Sequence, residues 1–134
     1  MVGLGLIGGS VALALRERGW SVWGSDVDAS RQTVAVECGV IDAVGVSPDA
    51  HISFVATPAD QSEATVGRLL NETVGVITDV GSVKARLVAA VASSRFVGGH
   101  PMAGSELDGL DGADPSMFQG AIWVLTPGTA SDET

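Results

Sequence analysis

The sequence has few basic residues, one cysteine and no long apolar run, and each of these shortages excludes a class of protein. Its 134 residues include 7 lysine and arginine residues against 16 acidic ones, so the formal net charge is -9. Binding to nucleic acid needs a basic face, and this composition therefore excludes a nucleic-acid partner. An anionic small molecule would have to be held by local hydrogen-bond donors, because the overall field repels it.

A single cysteine, Cys38, cannot form an internal disulfide, which indicates a reducing and therefore cytoplasmic environment. Because Cys38 precedes Gly39 at a predicted helix end, we interpret it as a packing residue and not as a nucleophile. Residues 1–15 are uncharged, but glycines interrupt them and they lack the basic leading region of a signal peptide. No run approaches the ~18 apolar residues of a membrane-spanning helix, so we predict a soluble protein without a membrane partner.

Short apolar segments alternate with helical patterns of about ten residues, which predicts βαβ units around a mostly parallel sheet. The predicted strands are 20–25, 52–56, 74–78, 96–97 and 121–125, and the predicted helices are 9–19, 29–38, 61–70 and 83–92. Residues 40–50 hold at most one short strand, and 106–119 form an acidic, glycine-rich loop with room for a helical turn. We therefore expect one α/β domain over residues 1–127, with 128–134 as a tail or the start of a linker.

Glycines 3, 5 and 8 have the spacing of a dinucleotide-binding turn. In such a turn the glycines tighten the chain, let the backbone approach a pyrophosphate and let the following helix pack closely on the strand. The phosphates then lie at the positive end of the helix, so the predicted cofactor-binding residues here are Gly3, Gly5, Leu6, Ile7 and Gly8. Only two residues precede the turn, so we expect a truncated first strand, either because the true start lies upstream or because the sequence is a fragment.

Asp26 follows Gly8 by 18 residues at the end of the next predicted strand, close to the ~20 expected for a ribose-binding carboxylate. A carboxylate there accepts hydrogen bonds from the ribose hydroxyls and repels a 2′-phosphate, so we predict NAD rather than NADP as the cofactor. The alternative is an ordinary turn residue at the end of a strand. No metal site is predicted.

A second motif, Thr78-Asp79-Val80-Gly81-Ser82-Val83-Lys84, lies where a predicted strand gives way to a helix. In open α/β sheets, ligands bind outside this carboxyl edge of the strands. Ser82 could cap the helix or point its hydroxyl at a ligand, and spacing alone favours neither. We interpret Lys84 as a solvated lysine of the first helical turn.

The third motif, Val97 to Glu106, places His100 on a Gly-Gly-His-Pro segment that we expect to be a rigid turn. Histidine is the side chain that exchanges a proton most readily near neutral pH. A nucleotide-binding fold with one proton acceptor is the minimum equipment for oxidising an alcohol. The alternative is a loop histidine whose hydrogen bonds are satisfied within the protein.

Together with Ala56-Thr57-Pro58 and Leu125-Thr126-Pro127, these motifs occur in the order found in prephenate and arogenate dehydrogenases, and the chain resembles their nucleotide-binding domain from Gly3 to Pro127. The resemblance implies a Rossmann-like, doubly wound fold and an NAD-dependent oxidative decarboxylation of prephenate to 4-hydroxyphenylpyruvate, in tyrosine biosynthesis. Arogenate is the alternative substrate.

The resemblance also implies a role for each matching residue. His100 would accept the proton of the substrate's ring hydroxyl, and Ser82 would orient the substrate or His100. Glu106, with Ser105 beside it, would line the substrate pocket. Thr57 and Pro58 would lie beside the nicotinamide ribose.

The chain departs from the family after the Leu125-Thr126-Pro127 segment. Family members continue into a mostly helical domain that supplies the dimer interface and an arginine that clamps a substrate carboxylate. We expect that domain to be absent here and a homodimer to form only with it. Arg86 and Arg95 are the basic residues near the His100 motif, and neither matches the clamp.

Three functions therefore compete: the NAD-binding half of a prephenate dehydrogenase, a standalone NAD-binding module without turnover, and a related hydroxyacid or imine dehydrogenase. The third would share the glycine turn but would not require the Gly-Gly-His-Pro segment. If a helical domain is missing, a large apolar patch should lie near Val124 and Leu125, whereas a self-sufficient module should show only scattered apolar residues.

Overall fold

Helices and short strands alternate along residues 1–128, the part of the chain that the computed structural model describes. The strands are β1 (Trp23–Gly24), β2 (Ala43–Val44), β3 (Ile52–Val55), β4 (Val76–Asp79), β5 (Phe96–Pro101) and β6 (Trp123–Pro127). The helices are α1 (Leu6–Glu17), α2 (Ala29–Glu37), α3 (Ala59–Glu72) and α4 (Ala85–Ala90), followed by two 3-10 turns at Leu110–Gly112 and Pro115–Phe118. The predicted tail, apart from Gly128, lies outside the described residues.

The strands form a mostly parallel arrangement, which confirms the predicted α/β class. β3, β4 and β5 are parallel neighbours, and β6 joins β5 in antiparallel orientation. The parallel pair of β1 and β2 is connected to them through Val2, which bridges Ser25 on one side and Val55 on the other. The first strand, expected to be truncated, is thus a single bridging residue in the order β2-β1-Val2-β3-β4-β5-β6.

Local capping explains where α2 begins and ends. The Asp28 carboxylate accepts hydrogen bonds from the backbone N–H groups of Ser30 and Arg31, as predicted for an N-cap. The Ser30 hydroxyl also donates to Asp28, and this bond, followed by the Arg31 amide, lowers the pKa of that carboxyl. Gly39 has a φ of 72°, which ends the helix in the left-handed conformation that glycine favours.

Several boundaries differ from the predictions. The predicted strand 20–25 shrinks to β1 because the Trp20 amide still donates to the Leu15 carbonyl at the end of α1. β5 is longer than predicted because residues 97–101 pair with β6. Cys38 is exposed, so its interpretation as a packing residue is wrong.

The helices cover the sheet unevenly. One buried cluster, which includes Val55, Val66, Ile77, Leu87 and Phe96, lies where α3 and α4 pack on the sheet. The opposite face of β3 to β6, called here the open sheet face, carries partly or largely exposed apolar residues: Ile52, Phe54, Val76, Val97, Trp123 and Leu125. Leu125 is 62% exposed, which confirms the patch predicted near that residue. Within residues 1–128, no helix has the length and apolar character to cross a membrane.

Candidate functional site

A cleft of about 720 Å³ lies beside the glycine turn. It brings together five of the predicted cofactor-binding residues, namely Gly3, Gly5, Asp26, Thr57 and Pro58. These come from three separate places in the chain: the turn after Val2, the end of β1 and the end of β3. All three lie at the carboxyl ends of parallel strands, the edge where ligands bind in open α/β sheets.

The three glycines of the turn serve two different purposes. Gly3 has a φ of 92°, and a Cβ there would lie 2.5 Å from the Ala56 carbonyl oxygen. Gly3 is thus required by its φ and by its close approach to the chain after β3. A Cβ on Gly8 would overlap the Gly3 carbonyl oxygen, so the close packing of α1 on the turn requires glycine at position 8. A Cβ on Gly5 would meet no protein atom within 4 Å. The space beside Gly5 is therefore open to an external group.

The start of α1 provides unpaired donors next to that space. Gly5 is the N-cap residue, no side chain caps the helix, and its first turn has no acidic residue. The first N–H groups of a helix lack partners within the helix and carry its positive partial charge. Leu6 and Ile7 belong to this first turn, whereas Gly8 is buried behind it. The arrangement fits the pyrophosphate of a dinucleotide.

Asp26 is held in a fixed position at the far wall of the cleft. Its Oδ2 accepts a hydrogen bond from the Leu4 amide at 2.8 Å, and its Oδ1 accepts one from the Asp28 amide at 2.9 Å. The side chain is only 5% exposed, and Arg31 lies 3.4 Å from its Oδ2. Oδ2 thus accepts from two donors, whereas Oδ1 accepts from one and keeps a lone pair with which Asp26 can accept from a ribose hydroxyl.

Two cationic residues in the cleft wall, Arg31 and Arg68, were not predicted from the sequence. Arg31 is in the first turn of α2, and Arg68 is in the third turn of α3, where it also pairs with Glu72. No local pattern marks either residue, because helix surfaces commonly carry arginine. Their positions show that the cleft is less acidic than the overall charge suggests.

His100 lies in β5 and not on a turn, which corrects the prediction. Its neighbour across the sheet is Val124 of β6, and Pro101 pairs with Trp123 in the same ladder. The correction has a simple cause: β6 supplies antiparallel hydrogen-bond partners that the Gly-Gly-His-Pro sequence does not reveal. His100 is therefore held at the carboxyl end of β5, on the same sheet edge as the cleft beside the glycine turn.

One ring nitrogen of His100, Nδ1, is buried and has no hydrogen-bond partner among residues 1–128. A buried polar atom without a partner costs about 1–3 kcal/mol, so it marks a place where an external group would be stabilising. The expected partners are elsewhere: Ser82, Ser105 and Glu106 are exposed, and none bonds to His100 in the described part of the chain. Ser82 does not cap α4 either, because Lys84 occupies the N-cap position.

The interpretation of Lys84 as a solvated residue is wrong. Its ammonium group forms an ion pair with the Asp79 carboxylate, and its side chain is only 12% exposed. The other Asp79 oxygen accepts a hydrogen bond from the Gly99 amide at 3.1 Å. Sequence reasoning missed this link. The available signal was an apolar strand, β4, that ends in an aspartate five residues before a lysine.

Arg86 and Arg95 are close to the His100 motif in sequence, but neither is placed where it could bind a substrate carboxylate next to His100. Arg95 donates to the carbonyl oxygens of Leu70, Thr73 and Gly75, where it closes the carboxyl end of α3. This location is at the start of β5, one strand length away from His100. Arg86 is exposed on α4 and lies with Asp60 and Glu63 along the crevice between α3 and α4.

The glycine-rich acidic loop also contacts the site. The Ser10 hydroxyl accepts a hydrogen bond from the Asp114 amide at 2.9 Å and donates one to the Leu6 carbonyl at 2.7 Å. A Cβ on Gly9 would lie 2.8 Å from a methyl carbon of Leu110, so the loop packs directly on α1. Gly9 and Ser10 thus connect the loop that follows His100 to the helix that begins at the cleft.

A glycine turn that opens an uncapped helix at the edge of a parallel sheet, with a carboxylate at the end of the next strand, defines a dinucleotide-binding domain of the Rossmann type. The family described as "Prephenate dehydrogenase, nucleotide-binding domain" matches residues 11–134. The chain belongs to this family.

Three relatives illustrate the similarity. The prephenate dehydrogenase of Bacillus subtilis (strain 168) is 38% identical over 149 residues, which cover 99% of this chain and 40% of the relative. The solved arogenate dehydrogenase of Synechocystis is 36% identical with a TM-score of 0.88, and covers 98% of this chain and 50% of its own. The prephenate dehydrogenase of Aquifex aeolicus, solved with hydroxyphenyl propionate and NAD+, is 30% identical with a TM-score of 0.89, at 98% and 51% coverage. The chain thus spans about half or less of these proteins.

Proposed function

We propose that this chain binds NAD and forms the cofactor-binding half of a prephenate dehydrogenase. The observation that carries the proposal is the unfilled space at Gly5, beside the uncapped start of α1 and on the same sheet edge as His100. The first-turn amides from Leu6 onward would hold the pyrophosphate, and Asp26 would hold the adenosine ribose. Thr57 and Pro58 would lie along the nicotinamide ribose. The Aquifex aeolicus relative, solved with NAD+ and hydroxyphenyl propionate, supports this assignment.

Bound NAD supplies the hydride acceptor of the reaction. The role proposed for His100 is to take the proton of the substrate's ring hydroxyl as that carbon loses hydride and becomes a carbonyl. The carboxylate on the opposite ring carbon leaves as carbon dioxide, and the electrons of the broken bond make the ring aromatic. The ring oxygen takes a proton back from His100, which gives 4-hydroxyphenylpyruvate. A general base of this kind must hold an unprotonated nitrogen within hydrogen-bond reach of the hydroxyl. Ser82 would orient the hydroxyl, and Ser105 and Glu106 would line the substrate pocket.

The direct experiment mixes the purified chain with NAD and prephenate and follows NADH by absorbance, with arogenate in a parallel reaction. Tryptophan fluorescence reports cofactor binding in the same sample. Turnover with prephenate supports the full proposal. Turnover with arogenate alone would assign arogenate as the substrate instead. Cofactor binding without turnover supports a half-enzyme that needs a further domain, or a standalone NAD-binding module. Absence of NAD binding contradicts the proposal.

The open sheet face supports a second part of the proposal, that a mostly helical domain packs against this one. β6 is antiparallel to β5, so it ends at the sheet edge opposite His100. A helix of the further domain that packs across the open sheet face would return the chain to the His100 edge. The relatives are long enough to contain such a domain, because this chain covers only 40% to 51% of them.

Fusing this chain to the second half of the Bacillus subtilis relative tests that packing. We expect the fusion to lose most of the binding of anilinonaphthalene sulfonate, a dye for exposed apolar surface, that the chain alone shows. Leu125→Ser in the chain alone should lower dye binding in the same direction. A concentration-dependent dimer of the chain alone, abolished by Leu125→Ser, would instead assign the face to a second copy.

Asp26→Asn tests the proposed cofactor choice. Asparagine keeps the size and one acceptor oxygen but loses the charge that repels a 2′-phosphate, and Arg31 remains beside it. We expect NAD affinity to fall about tenfold and the preference for NAD over NADP to shrink by a larger factor. Fluorescence titrations with both cofactors measure the ratio.

Asp42→Asn is the matched control, because Asp42 likewise accepts from a backbone amide, that of Val22, and pairs with an arginine, Arg16. It lies outside the cleft lining. Equal effects of the two substitutions on the cofactor ratio would exclude a specific role for Asp26.

A further inference from the structure

The second and third sequence motifs form a single structural unit at the carboxyl edge of the sheet. The Asp79 carboxylate, 2% exposed, accepts hydrogen bonds from the Gly81 amide at 3.0 Å and the Gly99 amide at 3.1 Å. Lys84 supplies its counter-ion. A buried carboxylate is stable only when it is neutralised and hydrogen-bonded, so the bond to Gly99 depends on Lys84.

Gly98 lets the side chain of Lys84 pack closely against β5. A Cβ on Gly98 would lie 3.1 Å from Cδ of Lys84 and 3.1 Å from a methyl carbon of Val88. The aliphatic part of Lys84 therefore lies against β5 where a side chain is missing. The first glycine of the Gly-Gly-His-Pro segment admits the lysine stem, and the amide of the second glycine binds the carboxylate.

This unit holds the backbone immediately before His100. The ladder between β4 and β5 pairs Ile77 with Phe96 and Thr78 with Val97. Beyond this ladder, the hydrogen bond from the Gly99 amide to the Asp79 carboxylate connects the two strands. On the other edge of β5, His100 pairs with Val124. Because no hydrogen bond in the described residues holds Nδ1 of the His100 ring, the ring depends on its backbone for position.

We propose that Asp79 and Lys84, seated on Gly98, are positioning residues that set the backbone at Gly99 and so aim the imidazole of His100 at the substrate. This inference rests on the proton-accepting role proposed for His100. Neither Asp79 nor Lys84 takes part in proton transfer. Their contribution is geometric: it requires both charges, and it is favoured by the close approach of Lys84 to β5 at Gly98.

Nuclear magnetic resonance on the 134-residue chain tests the proposal without requiring turnover. The chain has two histidines, and the exposed His51 serves as an internal reference. In Lys84→Met and Gly98→Ala we expect the His100 ring signals to shift or broaden while those of His51 stay unchanged. The Gly99 amide should exchange with solvent about tenfold faster or more. Gly104→Ala is the matched control, because a Cβ there meets no atom within 4 Å.

Asp79→Asn provides a second variant if Lys84→Met fails to fold, since asparagine keeps the shape and an acceptor for Gly99 but not the ion pair. Folded variants in which the His100 signals and Gly99 exchange match the wild type would overturn the proposal. Where turnover is measurable, kcat should fall about tenfold in Lys84→Met with KM for NAD unchanged; a proportional change in both indicates a merely structural role. If His100→Asn leaves turnover intact, the proposed function fails while the geometric result stands.

Discussion

Gly5→Ala should weaken NAD binding strongly while leaving the fold intact. The added methyl meets no protein atom within 4 Å, and Gly5 has a φ of -78°, which alanine adopts without strain. The melting temperature should therefore fall by no more than about 4 °C, the cost of a poorer helix N-cap. The methyl would fill the space where the backbone must approach the pyrophosphate, so NAD affinity should fall by about 30-fold or more. Circular dichroism and fluorescence titration measure the two effects.

Gly8→Ala, in the same turn, should instead destabilise the fold. Its Cβ would overlap the Gly3 carbonyl oxygen, a backbone atom that cannot move aside without opening the contact between α1 and the turn. We expect a loss of several kcal/mol, a large part of the ~5–15 kcal/mol that stabilises a typical domain. Gly67→Ala, on α3 with free space around it, controls for the general effect of adding a methyl. Undiminished NAD binding by Gly5→Ala would remove the main support for the proposed cofactor site.

His100→Asn should lower kcat by about 10²- to 10⁴-fold, the range that a general base contributes, with little change in NAD affinity. Asparagine is polar and of similar size at its first atoms, but it cannot take up the substrate proton. Absorbance of NADH measures the rate, on the chain joined to its second domain if the chain alone gives no turnover.

His51→Asn is the matched control for this second prediction. His51 is exposed at the start of β3, at the opposite sheet edge, where its ring lies 6.3 Å from that of Trp20. Its replacement should leave kcat and the pH profile unchanged. Equal losses of kcat and NAD affinity in His100→Asn would point to a structural role of the histidine and contradict the assigned chemistry.

The class of fold and the cofactor cleft could be predicted because their signals are local. The glycine turn, the Asp28 N-cap and Gly39 each act within a few residues of the helix that they begin or end. Alternation of short apolar segments with helical ones then implies a parallel sheet, and a parallel sheet collects its loops at one edge. Asp26 and Thr57 reach the same cleft for this reason alone.

The details around His100 could not be predicted, because each depends on a partner far along the chain. β5 extends to Pro101 only because β6 pairs with it, and Arg95 is occupied only because the carboxyl end of α3 is near it. Lys84 is buried because Gly98 leaves room for its stem on the next strand. Periodicity and spacing report none of these contacts.

The sequence by itself therefore determined the α/β class and the position of the glycine turn relative to Asp26, and it supplied His100 as the candidate proton acceptor. These follow from backbone conformations and helix ends that a few adjacent residues control. Only the tertiary structure decided that His100 lies in a strand, that Asp79 and Lys84 are joined beneath it and that one apolar sheet face stays open. Those features follow from strand pairing and packing between distant segments. Their contribution to the free energy of folding depends on contacts between residues that are far apart in the sequence.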